Sequence, residues 1–273
     1  MYDINKTLFV SDLDGTLLKS DGTLDTNTAR EINRMAEAGL KISFATARSY
    51  HTMKKVAGEI NVNIPLILHN GVFIASSTDG EILSAEYLKP TEKIAEVLGR
   101  LNIEPLVFSQ RGRKQYFSYL PDRINRATRT FNEPRQNDPR NLPVCNPEKL
   151  WDGEIFNVTC IGDEPALKLA YAELRDVCRC FFGKDYYSGE YWLEMISKDA
   201  SKALALERLK TMLGCERTVV FGDGNNDIEM FEAADECYAV ENALDELKAR
   251  ATAVIGGNDD GAVVKWLREN VPI

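Results

Sequence analysis

Short apolar runs that stop abruptly at polar residues recur along the chain, separated by stretches with helical spacing. The first is Thr7-Leu-Phe-Val10, which ends at Ser11-Asp12. Runs of this kind, alternating with helices, suggest parallel strands buried on both faces. Thr26 to Ala38 carries Ile32, Met35 and Ala36 at helical spacing and is followed by Gly39, a C-cap signal. Leu40–Phe44 predicts a second strand, Ser49–Ile60 a second helix and Pro65–Leu68 a third strand. A β-α-β-α-β order with short connections implies right-handed crossovers and a doubly wound sheet.

After Asn70-Gly71 the pattern changes. Val72–Ala75 and Glu81–Leu83 read as a hairpin with its loop around Asp79-Gly80. Thr91–Leu101 predicts a helix, while Leu106–Phe108 and Gln115–Tyr119 predict strands joined by the basic Arg111-Gly-Arg-Lys114. Residues 121–150 hold five of the ten prolines and are expected to be irregular or briefly helical. Ile155–Ile161, Ala166–Val177 and Arg179–Phe182 restore a β-α-β rhythm. The parent rhythm resumes after Ser201. Helices are expected over Lys202–Leu213, Asp227–Ala233, Asp245–Ala251 and Gly261–Asn270, and strands over Thr218–Phe221, Cys237–Val240 and Ala253–Ile255. The fold class is therefore α/β. A Rossmann-like, doubly wound core is expected over residues 1–82 and 196–273, with an α+β domain inserted at 83–195.

Chemistry-bearing residues collect where predicted strands end. Asp12-Leu-Asp-Gly-Thr16 follows the first strand, and Gly222-Asp-Gly-Asn-Asn-Asp227 follows Thr218–Phe221. Open α/β sheets bind ligands beyond the carboxyl ends of their strands. Two carboxylate clusters placed there repel unless they share a cation. A hard divalent ion such as Mg²⁺ relieves that conflict and takes substrate phosphate as a further ligand. Thr46 ends the second strand; its hydroxyl and the nearby amides, Ala47 among them, are candidates to hold a phosphate oxygen at a helix start. Lys202 opens the helix before the last acidic strand, where an ammonium would neutralise an attacking carboxylate and a phosphoryl oxygen together.

Asp12-x-Asp14-Gly-Thr16, Thr46, Lys202 and Gly222-Asp-x-x-Asn-Asp227, in that order, resemble the four motifs of the haloacid dehalogenase superfamily. The insertion between Thr46 and Lys202 resembles the α/β cap of its Cof-type phosphatase branch, as does Asn70-Gly71. The resemblance implies a role for each position. Asp12 would attack phosphorus and form an aspartyl-phosphate. Asp14 would protonate the leaving alcohol and then activate water. Thr46 and Lys202 would orient the phosphoryl group, and Asn226 would contact it. The Asp12 carboxylate, the Asp14 main-chain carbonyl and Asp223 would hold Mg²⁺, with Asp227 supporting the metal shell. The inserted cap would select the leaving group, and sugar phosphates are the substrate class the branch implies. The family often has glycine after the motif lysine; Ala203 stands there and suits a helix start. Lys198 competes for the lysine role. A phosphomutase of the same superfamily and a non-catalytic sugar-phosphate-binding protein are the alternatives.

Composition narrows the partners. The 273 residues carry a net charge of −9 with a pI of about 5.0, which disfavours nucleic acid but not a small phosphate ester bound in a local cationic pocket. No apolar run approaches the ~20 residues that span a bilayer, and no basic-then-apolar leader is read, so a cytoplasmic protein with no membrane partner is expected, a monomer or weak homodimer. None of the six cysteines forms a CxxC pair, and only two histidines are present, so zinc is poorly supported. No GxxxxGK[ST] phosphate loop occurs. Asp223–Asp227 is no calcium loop, because Ile228 stands where glycine and Ala234 where glutamate would be needed. Arg48 is open between substrate and solvent. His69 reads as a packed strand-end residue, and the basic residues near 111–129 as solvated loop charges.

Overall fold

The computed structural model describes residues 2–185 and 188–272. The chain forms two compact units, Met1–Ala85 with Ala200–Ile273, and Glu86–Asp199. In chain order the first unit opens with β1 (Thr7–Ser11), α1 (Thr26–Glu37), β2 (Lys41–Phe44), α2 (Tyr50–Ala57), β3 (Leu66–Leu68), β4 (Phe73–Ala75) and β5 (Ile82–Ala85). The second unit contains α3 (Thr91–Arg100), β6 (Leu106–Arg111), β7 (Lys114–Tyr119), α4 (Arg126–Asn132), β8 (Asn141–Pro143), β9 (Glu154–Gly162), α5 (Glu164–Leu174), β10 (Arg179–Lys184) and β11 (Tyr191–Ile196). The first unit then closes with α6 (Lys202–Met212), β12 (Arg217–Gly222), α7 (Ile228–Ala233), β13 (Glu236–Ala239), α8 (Asp245–Lys248), β14 (Ala253–Val254) and α9 (Ala262–Asn270).

The main sheet of the first unit runs β14-β13-β12-β1-β2, and every pair in it is parallel. β1 is central and buried at all five positions, which is why it reads as unbroken apolar chain rather than an alternation. Register brings the ends together: Ser11 pairs with Phe221 on one side and Phe44 on the other. The segments that follow β1, β2 and β12 therefore leave the sheet at one level. Helices pack in two groups, α1 with α9 and α6 with α7. α1 is launched by Asp25, whose side chain accepts from the amides of Asn27 and Thr28. It turns Ile32, Met35 and Ala36 inward and ends before Gly39, which takes φ +98.

β3 departs from expectation only in part. It runs parallel beside the end of β2, through the bridge Ala45 to Ile67 and the Thr46 amide donating to the Ile67 carbonyl at 3.0 Å, and it also opens an antiparallel β3-β4-β5 sheet. The turn at His69–Gly71 reverses the chain from β3 into the antiparallel β4.

The second unit is a six-stranded sheet, β10-β11-β9-β6-β7-β8, antiparallel except at β7–β8. Ile94, Val97 and Leu98 of α3 and Leu167, Ala170 and Leu174 of α5 pack with Val107, Val158, Leu193 and Met195 of the strands. Leu106, Phe117, Tyr119 and Ile161 form a smaller cluster that Ala127 and Phe131 of α4 pack against. The proline-rich stretch holds more order than expected: α4, β8 and a 3₁₀ turn at Pro147–Trp151. β11 was not anticipated, although Leu193 and Met195 bury at strand period. Among the described residues no helix is long and apolar enough to cross a membrane.

Candidate active site

Asp12 is the first residue beyond β1. Its amide donates to the Phe221 carbonyl at 2.9 Å, so the neighbouring strand fixes where it leaves the sheet. The following turn, Leu13–Leu17, is a single wide helical turn broken by Asp14 in an extended conformation and Gly15 at φ +77. Gly15 is required there twice over. A side chain disfavours that φ, and a Cβ would lie 2.4 Å from an Asp223 carboxylate oxygen. The loop after β1 thus packs directly on the loop after β12. Thr16 strengthens that join, donating its hydroxyl to Asp223 Oδ1 at 2.9 Å, and Asn242 donates its amide to the Gly15 carbonyl at 2.7 Å.

Lys202 begins α6, with Ser201 as the N-cap accepting from the Leu204 amide. A cation in the first turn opposes the helix dipole, and this one is only 2% exposed. Its position is explained by two carboxylates: Nζ donates to Asp12 Oδ1 at 2.5 Å and to Asp227 Oδ1 at 2.7 Å. Burial alone would push the ammonium toward neutrality, but the two anions outweigh it and hold its pKa above the ordinary lysine value. Burial raises the Asp12 carboxyl well above the usual range, Asp227 adds to this, and Lys202 opposes it. Asp223 is pushed up to about 6, chiefly by burial, against the Thr16 hydrogen bond.

Asp227 is spent on this scaffold. Its Oδ2 accepts from the amides of Asp223 and Gly224, both at 3.0 Å, while Oδ1 meets Lys202. Asp12 is not: Oδ1 meets Lys202, and no hydrogen bond reaches Oδ2 among the described residues.

Asp14 lies apart from the buried set. Its side chain is 48% exposed and is gripped by Arg48 in a two-pronged pair, Nε to Oδ2 at 2.8 Å and Nη2 to Oδ1 at 2.6 Å. Arg48, open between substrate and solvent on the sequence alone, thus has the acid–base candidate as its partner. Thr46 is fully buried, and its hydroxyl accepts from the Arg48 amide at 3.1 Å. α2 begins at Tyr50 under a Ser49 cap, close to the expected Ser49 start, so Thr46 and Ala47 lie in the loop just ahead of the helix rather than in its first turn. Asn226 donates its side-chain amide to Asn70 Oδ1 at 3.0 Å. Lys198 donates to the Asp176 carbonyl, so Lys202 alone of the two reaches Asp12. His69 packs edge-on to Phe73, as a strand-end residue should.

Carboxylate oxygens of Asp12, Asp223 and Asp227 can all lie within 4.8 Å of one another. Three hard oxygen donors at that spacing, two of them with raised pKa values, fit a hard divalent cation better than a soft or redox metal. Asp227 is the poorest candidate of the three for direct ligation, because its oxygens already accept three hydrogen bonds. The tight approach of Gly15 to Asp223 also puts the Asp14–Gly15 peptide beside this cluster.

A doubly wound parallel sheet with acidic loops meeting at its strand ends, and a buried lysine between two carboxylates, defines a class before any relative is named. The chain belongs to the haloacid dehalogenase-like hydrolases, whose pattern it matches over residues 9–267. Among curated proteins it is 25% identical to the 5-amino-6-(5-phospho-D-ribitylamino)uracil phosphatase YitU of Bacillus subtilis (strain 168), over 96% of each chain. It is 27% identical to an HMP-PP phosphatase of Klebsiella pneumoniae (strain 342), over 87% of this chain and 85% of that one. Its fold is similar to the crystal structure of a haloacid dehalogenase-like hydrolase from Bacteroides thetaiotaomicron, with a TM-score of 0.78 at 21% identity, over 97% and 99% of the two chains.

Proposed function

We propose that this protein is a Mg²⁺-dependent phosphatase of small phosphorylated metabolites, with Asp12 as nucleophile. The observation that carries the reading is the buried Lys202 bridging Asp12 and Asp227, with Asp12 Oδ2 left unengaged. A lysine held this way keeps one face of Asp12 fixed and its charge balanced while the other oxygen meets phosphorus.

In the first step Asp12 Oδ2 bonds to phosphorus as the bond to the leaving oxygen breaks, and Asp14 gives that oxygen its proton. In the second, Asp14 takes a proton from water, the water oxygen bonds to phosphorus, and phosphate leaves Asp12. Arg48 donates to both Asp14 oxygens in the structure, and it must release one of them so that Asp14 can carry the proton it gives to the leaving oxygen and regains from water. Thr46, the Ala47 amide and Asn226 are assigned to the phosphoryl oxygens, and Lys202 to both Asp12 and the phosphoryl group. Asp12, Asp223 and the Asp14 carbonyl would hold Mg²⁺, with Asp227 behind them. When bound, the ion supplies charge neutralisation for the phosphoryl oxygens.

The relatives include a 5-amino-6-(5-phospho-D-ribitylamino)uracil phosphatase and an HMP-PP phosphatase. Sugar phosphates remain the expected substrate class, and a phosphorylated ribitylamino-pyrimidine belongs beside them in any panel. The Glu86–Asp199 unit is assigned to substrate selection. The test is phosphate release from such a panel with Mg²⁺. Wild-type protein is expected to release phosphate from at least one ester, and Asp12→Asn from none. Full activity in Asp12→Asn would defeat the mechanism, and an isomeric ester in place of free phosphate would mark a mutase.

A further inference from the structure

Between β3 and β4 the chain makes a turn in which three successive residues, His69, Asn70 and Gly71, take positive φ: +50, +55 and +92. Only the third is glycine. Backbone held this way costs free energy at each non-glycine residue and persists when its surroundings fix it. Those surroundings are the candidate active-site loops.

On one side, the His69 amide donates to the Arg48 carbonyl at 3.2 Å, and the Asn70 amide to the Thr46 carbonyl at 3.0 Å. On the other, Gly71 lies so close to the start of α6 that a Cβ would stand 2.1 Å from the Ser201 carbonyl oxygen. Arg208, further along α6, donates to the Gly71 carbonyl at 3.2 Å. The turn therefore locks the Thr46–Arg48 loop to the helix that begins with Lys202. A further side-chain bond reaches the third loop: Asn226 Nδ2 donates to Asn70 Oδ1 at 3.0 Å.

A primary amide nitrogen has two N–H groups. One of those on Asn226 is committed to Asn70, which sets the plane of the amide and leaves the second with a defined direction. Without Asn70 that amide would be free to rotate.

We propose that Asn70 is a positioning residue, whose side-chain oxygen orients the Asn226 amide toward a bound phosphoryl group while its turn keeps the Thr46 loop and Lys202 in register. This rests on the reading of Asn226 as a phosphate contact. Because Asn226 meets phosphoryl oxygens in ground and transition states alike, loss of its orientation falls mainly on KM.

The test is a four-protein cycle: wild type, Asn70→Gly, Asn226→Ala and the double variant. Glycine accepts the positive φ of position 70, so the backbone survives and only the side chain is lost. Each protein is assayed for kcat and KM on p-nitrophenyl phosphate with Mg²⁺, and for the Kd of inorganic phosphate by calorimetry. Asn70→Gly is expected to raise KM and Kd roughly tenfold, the worth of one hydrogen bond to a charged group, with kcat changed much less. The double variant is expected to be no worse than Asn226→Ala alone. Wild-type values in Asn70→Gly, or a double variant that loses the product of the two single effects, would overturn the proposal. If wild type bound phosphate in this pattern but released no p-nitrophenol, the phosphatase reading would fail and the positioning role would stand.

Discussion

Two ion-paired systems stand at the strand ends of the first unit, and they are built on opposite plans. Lys202 with Asp12 and Asp227 is sealed from solvent, with side-chain exposures of 1%, 7% and 0%. Arg48 with Asp14 is half open, at 28% and 48%. In the first set Lys202 binds both carboxylates, and two main-chain amides fix Asp227. The second is a fork-to-carboxylate pair in contact with water, where attraction is weaker and either partner can leave. The difference matches the roles proposed. A nucleophile gains from being held in one place with its charge balanced. An acid–base group must meet a leaving oxygen and then a water, and a partner that lets go at little cost suits it.

The comparison is broken most severely at Lys202. Lys202→Ala leaves two carboxylates buried without their cation, and removing one partner of a buried ion pair costs about 3–5 kcal/mol. A denaturant titration is expected to show that loss, with activity abolished. A stability unchanged within error would mean that water or metal already compensates the carboxylates.

Gly15→Ala tests the join between the two carboxylate loops, and its effect should be intermediate. A non-glycine residue at positive φ costs roughly 1–2 kcal/mol. The added methyl must also displace Asp223, 2.4 Å away. Thermal melting should show the first cost. Calorimetry of Mg²⁺ binding should show the second as weakened affinity, and a variant with wild-type affinity would remove Asp223 from the ligand set.

Most of the first system was legible in the sequence and little of the second. Asp12, Asp223 and Asp227 could be read because strands that are apolar throughout end abruptly at them, whereas Lys202, at a helix start, could be read only through its order among the other motifs. Arg48 could not be read, because a lone arginine near a loop has the same local signature whether it meets solvent or a carboxylate. Its partner Asp14 lies 34 positions away in sequence. Asn70 stands out in the sequence only through the resemblance of Asn70-Gly71 to the Cof-type branch; that its side chain meets Asn226, 156 positions on, is a tertiary fact. That β3 also opens an antiparallel sheet is illegible for a similar reason. An apolar strand of three residues reads the same in a parallel sheet as in an antiparallel one, and the turn that decides between them is held by groups from elsewhere in the chain. In the second unit, β11 carries a readable alternation, whereas β8, Asn141-Leu-Pro143, has none and takes its place as a strand by pairing with β7.

The smallest effect on stability is expected at Arg48, and it isolates the open pair from the sealed one. Arg48→Ala should change folding free energy by less than about 1 kcal/mol, as exposed ion pairs do. If Arg48 sets the geometry of Asp14, kcat should still fall by about tenfold to a hundredfold, part of the contribution general acid–base catalysis makes. Arg48→Lys separates charge from shape. A lysine restores the positive charge but cannot grip both Asp14 oxygens at once, because an ammonium is a point donor where guanidinium is a planar fork. If it is the fork that matters, Arg48→Lys stays near Arg48→Ala in kcat. If it recovers wild-type turnover instead, the pair acts through charge alone, and the two-pronged geometry between Arg48 and Asp14 carries no catalytic weight.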